Sequence, residues 1–190
     1  MEQINIRIGD KIGKGYREFW NFKGRYRVVK GGRGSKKSCT EALWLPFNMM
    51  KYPLANAVVI RRYFNTHRDS TFAQLRWAIN QLGVKHLWKA TMNPLELTYI
   101  PTGQKILFRG FDDPQSITSI TVETGHLCWV WIEEAFELMN EDDFNILDES
   151  IRGSCPKPLF KQWTITFNPW NEHHWLKKRF FDAEPDEDIL

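Results

Sequence analysis

The stretch VVKGGRGSKKSCT, residues 28–40, sets three glycines, an arginine and a Lys-Lys pair behind an apolar dipeptide. It comes within one residue of the phosphate-binding pattern of a glycine, four residues, then Gly-Lys-Ser/Thr. Lys36 stands where that pattern has its second glycine. The chemistry of such a loop has three requirements. Glycines let the backbone curl so that successive N–H groups point at one anion. The helix that follows adds its partial positive N-terminus. A lysine then reaches the terminal phosphates, and a hydroxyl holds magnesium. Gly31, Gly32 and Gly34 supply the curl here, Lys37 the ammonium and Ser38 the hydroxyl. Lys36 is compatible with this role if the backbone there is right-handed, so that its side chain points outward. A basic turn that merely caps a helix is the plainer reading, and the loop alone leaves both open.

Working outward, RYRVVKGG reads as a short apolar strand running into the loop. Lys37 to Leu45 reads as the helix after it, disturbed at Pro46 because proline has no N–H to donate. NAVVIRR is a buried strand, and Ser70–Leu82 an amphipathic helix with Phe72, Leu75, Ile79 and Leu82 on one face. LELTYIPTGQKILFRGF alternates around PTG as a hairpin. CWVWIEEA is a strand running into two acids, Asp142–Ile151 a helix, WTITFNP a strand ended by Asn-Pro, and EHHWLKKRFF a last helix. Apolar strands alternating with helices indicate an α/β fold with a mostly parallel sheet covered on both faces. DAEPDEDIL, residues 182–190, is acidic and carries no core pattern, so a linker or a cut edge is expected there.

Composition bounds the function. With 190 residues, 42% of them hydrophobic, and nine Trp with thirteen Phe, the chain can bury a full core, which excludes a disordered segment. No apolar run reaches membrane-span length, and the N-terminus lacks the apolar core of a signal peptide. Three cysteines, Cys39, Cys128 and Cys155, lie far apart without CxxC spacing, as expected of reduced thiols in an intracellular soluble protein. A net charge of +3 permits a nucleic-acid partner without demanding one.

Two further motifs bear on the loop. A magnesium–nucleotide hydrolase needs an acid at the end of a neighbouring buried strand and a base that orients the attacking water. Glu133 and Glu134, directly after the apolar run CWVWI, supply both. Two surface glutamates opening a helix would explain the acids but not so apolar a strand before them. TITFNP, residues 164–169, ends an apolar strand in Thr166 and Asn168, where a polar side chain can report the γ-phosphate. A simple Asn-Pro strand stop accounts for it as well.

The ordered set GGRGSKKS, VVIRR, ILFRGFDDPQSITSI, VWIEEA and TFNP resembles the large terminase subunit of tailed bacteriophages, in its PBSX/SPP1-like branch, from about Arg25 to Phe181. The resemblance implies a P-loop NTPase of the ASCE type: α/β, with a mostly parallel central sheet flanked by helices on both faces. It implies a lead-in segment over 1–24, an ATPase domain over 25–181 and an edge over 182–190 towards an absent nuclease domain, hence no nuclease activity from this chain. ATP contacts are implied along Gly31, Gly32, Arg33, Gly34, Ser35, Lys36, Lys37, Ser38 and Cys39. Within these, Lys37 and Arg33 act on the phosphates. Ser38 and Glu133 are the Mg2+ residues, Glu133 through water because it is a methylene longer than the commoner aspartate. Glu134 activates water, and Thr166 and Asn168 couple hydrolysis to movement. The implied partners are double-stranded viral DNA, the portal protein, the small terminase subunit and further copies of the chain in a ring, with no membrane. The implied location is the host cytoplasm and, transiently, the procapsid portal vertex.

Arg61, Arg62 and Arg109, at or near strand ends, are the candidates to reach a neighbour's ATP; a solvated edge or a DNA-phosphate contact is the favoured reading for any one of them taken singly. Phe19, Trp20, Arg25 and Tyr26 are adenine candidates by position, with core packing as the alternative for the aromatics. Two other functions stay open: a different P-loop translocase of the helicase kind, and a non-hydrolysing nucleotide or nucleic-acid module, which Lys36 would favour.

Overall fold

The computed structural model describes residues 6–9, 11–112, 117, 120–151, 153–168, 173–184 and 186–190. Asp113, most of DDPQSITS, the Pro169 after Asn168, and Glu172 lie outside the described residues.

Seven strands form one sheet: β1 (Tyr26–Lys30), β2 (Ala55–Arg61), β3 (Trp88–Met92), β4 (Leu95–Tyr99), β5 (Gln104–Gly110), β6 (His126–Glu133) and β7 (Gln162–Phe167). Their order is β1-β7-β6-β2-β5-β4-β3. The pairs from β1 across to β5 are parallel, while β5–β4 and β4–β3 are antiparallel. The central strands read as apolar runs because both faces are covered. On β2, Ala57 and Val59 face α2 (Lys37–Lys51) and α3 (Thr71–Gln81); Val58 and Ile60 face α4 (Glu141–Ser150) and α5 (Trp175–Phe180). On β6, Trp129 and Trp131 face the first pair of helices, and Val130 and Ile132 the second. The α/β sandwich and the LELTY…GQKILFRG hairpin are as expected. Among the described residues, no helix is long and apolar enough to cross a membrane.

Four local expectations are corrected. The helix after the loop does not stop near Leu45 but runs through Pro46 to Lys51. Proline removes one backbone bond, yet Ala42, Leu43, Trp44, Leu45 and Met49 are at most 1% exposed, and that burial carries the helix past it. WKATM, residues 88–92, is a strand without a sequence signal, because on this sheet edge only Trp88 is buried and neither an apolar run nor an alternation marks it. Not every strand is apolar throughout, since β3 and β4 are half-exposed. The tail is not without structure at its end: Ile189 pairs alongside Tyr26, and Leu190 exchanges backbone hydrogen bonds with Tyr26 and Val28 at 2.9 and 2.7 Å on the free edge of β1.

The lead-in is seated on the same core. α1 (Arg17–Asn21) buries Phe19, and Ile6, Ile8 and Trp20 pack against the α2–α3 side. Beneath it, Arg27 of β1 is fully buried. It donates to Glu41 of α2 at 2.8 Å and to Thr164 of β7 at 2.6 Å, with the rings of Phe19 and Trp44 at 4.3 and 4.0 Å from its guanidinium carbon. This ion pair ties together the strand before the loop and the helix after it.

Candidate functional site

The sheet order sets β7 between β1 and β6, with β2 next, so the carboxyl ends of four neighbouring parallel strands share one edge. Ligands of open α/β sheets bind at such an edge. From β1 the chain enters the loop at Gly31, whose N–H donates to the Phe167 carbonyl of β7 at 3.2 Å. The loop then curls back so tightly that a Cβ on Gly31 would meet Ser35 Oγ at 2.8 Å, which excludes any larger residue without a shift. Tyr16 of the lead-in braces the curl by donating to the Ser35 carbonyl at 2.7 Å. Gly34 has φ +83, a conformation that glycine adopts freely.

Lys36 differs from expectation. Its φ is 65 and its ψ 11, left-handed rather than right-handed, immediately before the first residue of α2. The motif has glycine here because the turn into the helix requires this conformation; Lys36 adopts it at some strain, its side chain exposed. Lys37 follows as the first helical residue, only 7% exposed, beside N–H groups that have no intrahelical partner.

β6 brings in the acids. Glu133 is its last residue and is buried, while Glu134 turns out of the strand with φ 54 and ψ 48. The site therefore holds two non-glycine residues in the left-handed region, Lys36 and Glu134, the kind of strain that gathers at functional positions. Lys37 Nζ donates to Asn168 Oδ1 at 2.7 Å, and Asn168 Nδ2 lies 3.4 and 3.5 Å from the two Glu134 oxygens. One amide thus bridges the loop lysine and the second glutamate. Burial pushes the Glu133 carboxyl above its ordinary range; Arg61 opposes this, Glu134 adds to it, and Ser38 and Lys37 pull it back.

The other candidates are placed as follows. Arg33 is exposed on the loop. Cys39 Sγ accepts from Gln74 of α3 at 3.2 Å. Thr166 is buried: its hydroxyl accepts from Trp131 Nε1 at 3.0 Å and donates to the Ile132 carbonyl at 3.3 Å, so it stands behind Asn168 instead of lining the cleft. Arg109 donates to the Phe108 carbonyl at 2.8 Å, and Arg62 lies over Tyr63 and Phe111 at 5.8 and 6.0 Å. Arg61, a candidate to reach outward, instead folds onto Glu133 of its own chain at 3.6 Å. The adenine candidates are committed to packing: Arg25 and Tyr26 both bond Asp148, at 2.7 and 2.9 Å, and Trp20 stacks near Phe47 at 5.5 Å. Sequence reading missed Tyr16 and the Arg27–Glu41 pair. A lone arginine in an apolar strand, with an acid one helical turn past the loop, was the available signal for the pair.

The oxygen donors fit a magnesium ion. Ser38, near the start of α2, is close enough to Glu133 to act on its carboxyl, and among the described residues no group of three or more His, Cys, Asp or Glu could cage a metal. Magnesium shared with substrate phosphates is held by one or two protein oxygens of this kind.

The chain is similar to known proteins along most of its length. The family model described as phage terminase large subunit matches residues 23–189. The terminase large subunit of Bacillus phage SPP1 is 38% identical over 181 residues, covering 92% of this chain and 43% of that protein. The PBSX phage terminase large subunit of Bacillus subtilis (strain 168) is 32% identical over 185 residues, covering 97% of this chain and 39% of that protein. The chain thus spans about two-fifths of the length of these relatives. The large terminase of a thermophilic bacteriophage, solved in complex with ATP-gamma-S, superposes with a TM-score of 0.65 at 16% identity, covering 93% of this chain and 41% of that one. Loop, acidic strand and bridging asparagine stand in a chain that belongs to the phage terminase large subunit family.

Proposed function

We propose that this chain is the ATPase module of a DNA-packaging motor, hydrolysing ATP with Mg2+ to move double-stranded viral DNA into a procapsid. The observation that carries the reading is the Lys37–Asn168–Glu134 bridge, which joins the phosphate loop to a water-activating acid through the strand between them. Family membership supports it, as does the ATP-gamma-S bound by the thermophilic-phage terminase of similar fold.

In this reading the loop N–H groups from Gly31 to Cys39 cradle the phosphates, and Lys37 and Arg33 neutralise their terminal oxygens. The chemistry that Mg2+ would supply there is neutralisation of phosphate charge. Ser38 and Glu133 would hold it, Glu133 by way of water. Glu134 takes the proton of the attacking water as the new bond to the γ-phosphorus forms and the bond to ADP breaks. Asn168 exchanges its contact with Lys37 for one with the nucleotide, and Thr166 keeps β7 in register behind it. Further copies in a ring, the portal protein and the small terminase subunit are the assigned partners, in the host cytoplasm and at the portal vertex.

The test is binding of ATP followed by tryptophan fluorescence. Wild type should bind in the presence of Mg2+, and Lys37→Ala should lose that binding. Equal binding by both would remove the loop from the site.

A further inference from the structure

Arg61 ends β2 beside the acidic strand, and its side chain turns inward. Nη1 donates to Ser70 Oγ at 2.8 Å, and Ser70 Oγ donates to the Thr66 carbonyl at 2.5 Å, so the guanidinium is fixed from the start of α3. Nε faces Glu133 Oε2 at 3.6 Å, with 13% and 11% of the two side chains exposed. That separation is an ion pair without a hydrogen bond. The buried Nε–H has no acceptor among the described residues. A buried donor left unmade is costly, more so on a charged group, and an arginine does not shed its proton to escape the cost. Glu133 is also acted on by Ser38 and by the charge of Lys37, both at the start of α2. Arg61 thus ties the end of β2 to the last residue of β6, within electrostatic reach of the start of α2.

We infer that Arg61 is a positioning residue of its own chain's nucleotide site, holding the Glu133 carboxylate toward Ser38 and closing its spare Nε–H on that carboxylate when magnesium–nucleotide binds. The inference rests on the ATPase reading. It gives Arg61 a role in its own subunit's site, where the strand-end position alone suggested a neighbour's. A merely structural tie between β2 and α3 would give the same hydrogen bond to Ser70 but would not touch metal dependence.

Three measurements separate these. The first is affinity for a fluorescent ATP analogue in EDTA and across a magnesium series, for wild type, Arg61→Ala and Arg61→Lys. Arg61→Ala should keep its EDTA affinity within about threefold while the magnesium needed for half-maximal binding rises at least about tenfold, the scale for lost partners of a metal-associated ligand. Arg61→Lys should recover part of this, since it restores charge without the planar fork. An unchanged magnesium requirement in both variants overturns the proposal. The second mixes Arg61→Ala with Glu134→Gln at high concentration and reads ATP turnover. No recovery is expected, because neither chain has a complete site; recovery would mean that Arg61 is donated across subunits and would overturn the assignment. The third compares melting of the nucleotide-free single and double variants. Arg61→Ala with Glu133→Gln should melt no lower than Arg61→Ala alone, since the stranded carboxylate is gone. Additive losses would overturn the pairing. If wild type binds no nucleotide, the ATPase reading fails by itself, and the melting comparison still decides whether the two residues are coupled.

Discussion

Lys37 of α2 and Asn168 at the end of β7 are joined by a 2.7 Å hydrogen bond, and the same amide reaches back to Glu134 at 3.4 Å. The lysine that would meet the phosphates is held by the residue that would sense them. Asn168→Ala should free Lys37 and leave Glu134 unsteered. Hydrogen bonds to charged groups contribute ~1.5–3 kcal/mol, so turnover should fall about ten- to a hundredfold while nucleotide affinity changes by less than about threefold. Steady-state kinetics beside equilibrium binding reads this; parallel losses in both would make Asn168 a binding residue only.

Lys36 stands at φ 65, where an L-residue is strained by ~1–2 kcal/mol. Lys36→Gly should melt at or above wild type, by up to about 4 °C, and Lys36→Val below it. Differential scanning calorimetry decides between them. A higher melting point for the valine variant would contradict the left-handed turn.

The buried Arg27–Glu41 pair, 2.8 Å apart with both side chains 1% exposed, predicts a large asymmetry. Glu41→Gln strands a buried guanidinium and should cost about 3–5 kcal/mol, or roughly 10 °C in melting temperature. Replacing both partners, Arg27→Met with Glu41→Leu, should cost less. A double variant worse than the single would show that the pair stabilises the fold directly.

His67 is fully buried between Thr71 Oγ1 at 2.7 Å and the Arg109 carbonyl at 2.8 Å, and burial lowers its pKa to about 4. A depressed histidine folds in its neutral form. Its contribution is therefore full above the unfolded value near 6.5 and is lost as pH falls through about 4. The loss should approach ~3 kcal/mol across that window. Denaturant titrations at stepped pH should show a shallower slope for His67→Gln; an identical slope would put the acid sensitivity elsewhere.

Much of this is legible in the sequence, and the limits are physical. The strand–loop–helix of residues 26–45, the acids after CWVWI and Asn168 after TITF all follow from local pattern, because glycines, apolar runs and strand-end polar residues act where they stand. Arg61 cannot be read this way. Whether a strand-end arginine points out or in depends on Ser70 and Glu133, which only the tertiary fold brings near it. The same holds for Thr166, whose hydroxyl is taken by Trp131 of the neighbouring strand. β3 gives no signal because this edge strand buries only Trp88, and Pro46 misleads because burial around it outweighs one missing hydrogen bond.

The central claim is that this chain hydrolyses ATP using Glu134 as the base. The most direct measurement is magnesium-dependent phosphate release by the purified chain, wild type against Glu134→Gln, with nucleotide binding checked in parallel. The account predicts that Glu134→Gln still binds nucleotide and turns over at least about a hundredfold more slowly. Normal turnover by Glu134→Gln, with Glu133→Gln alone inactive, would contradict it and exchange the roles of the two acids.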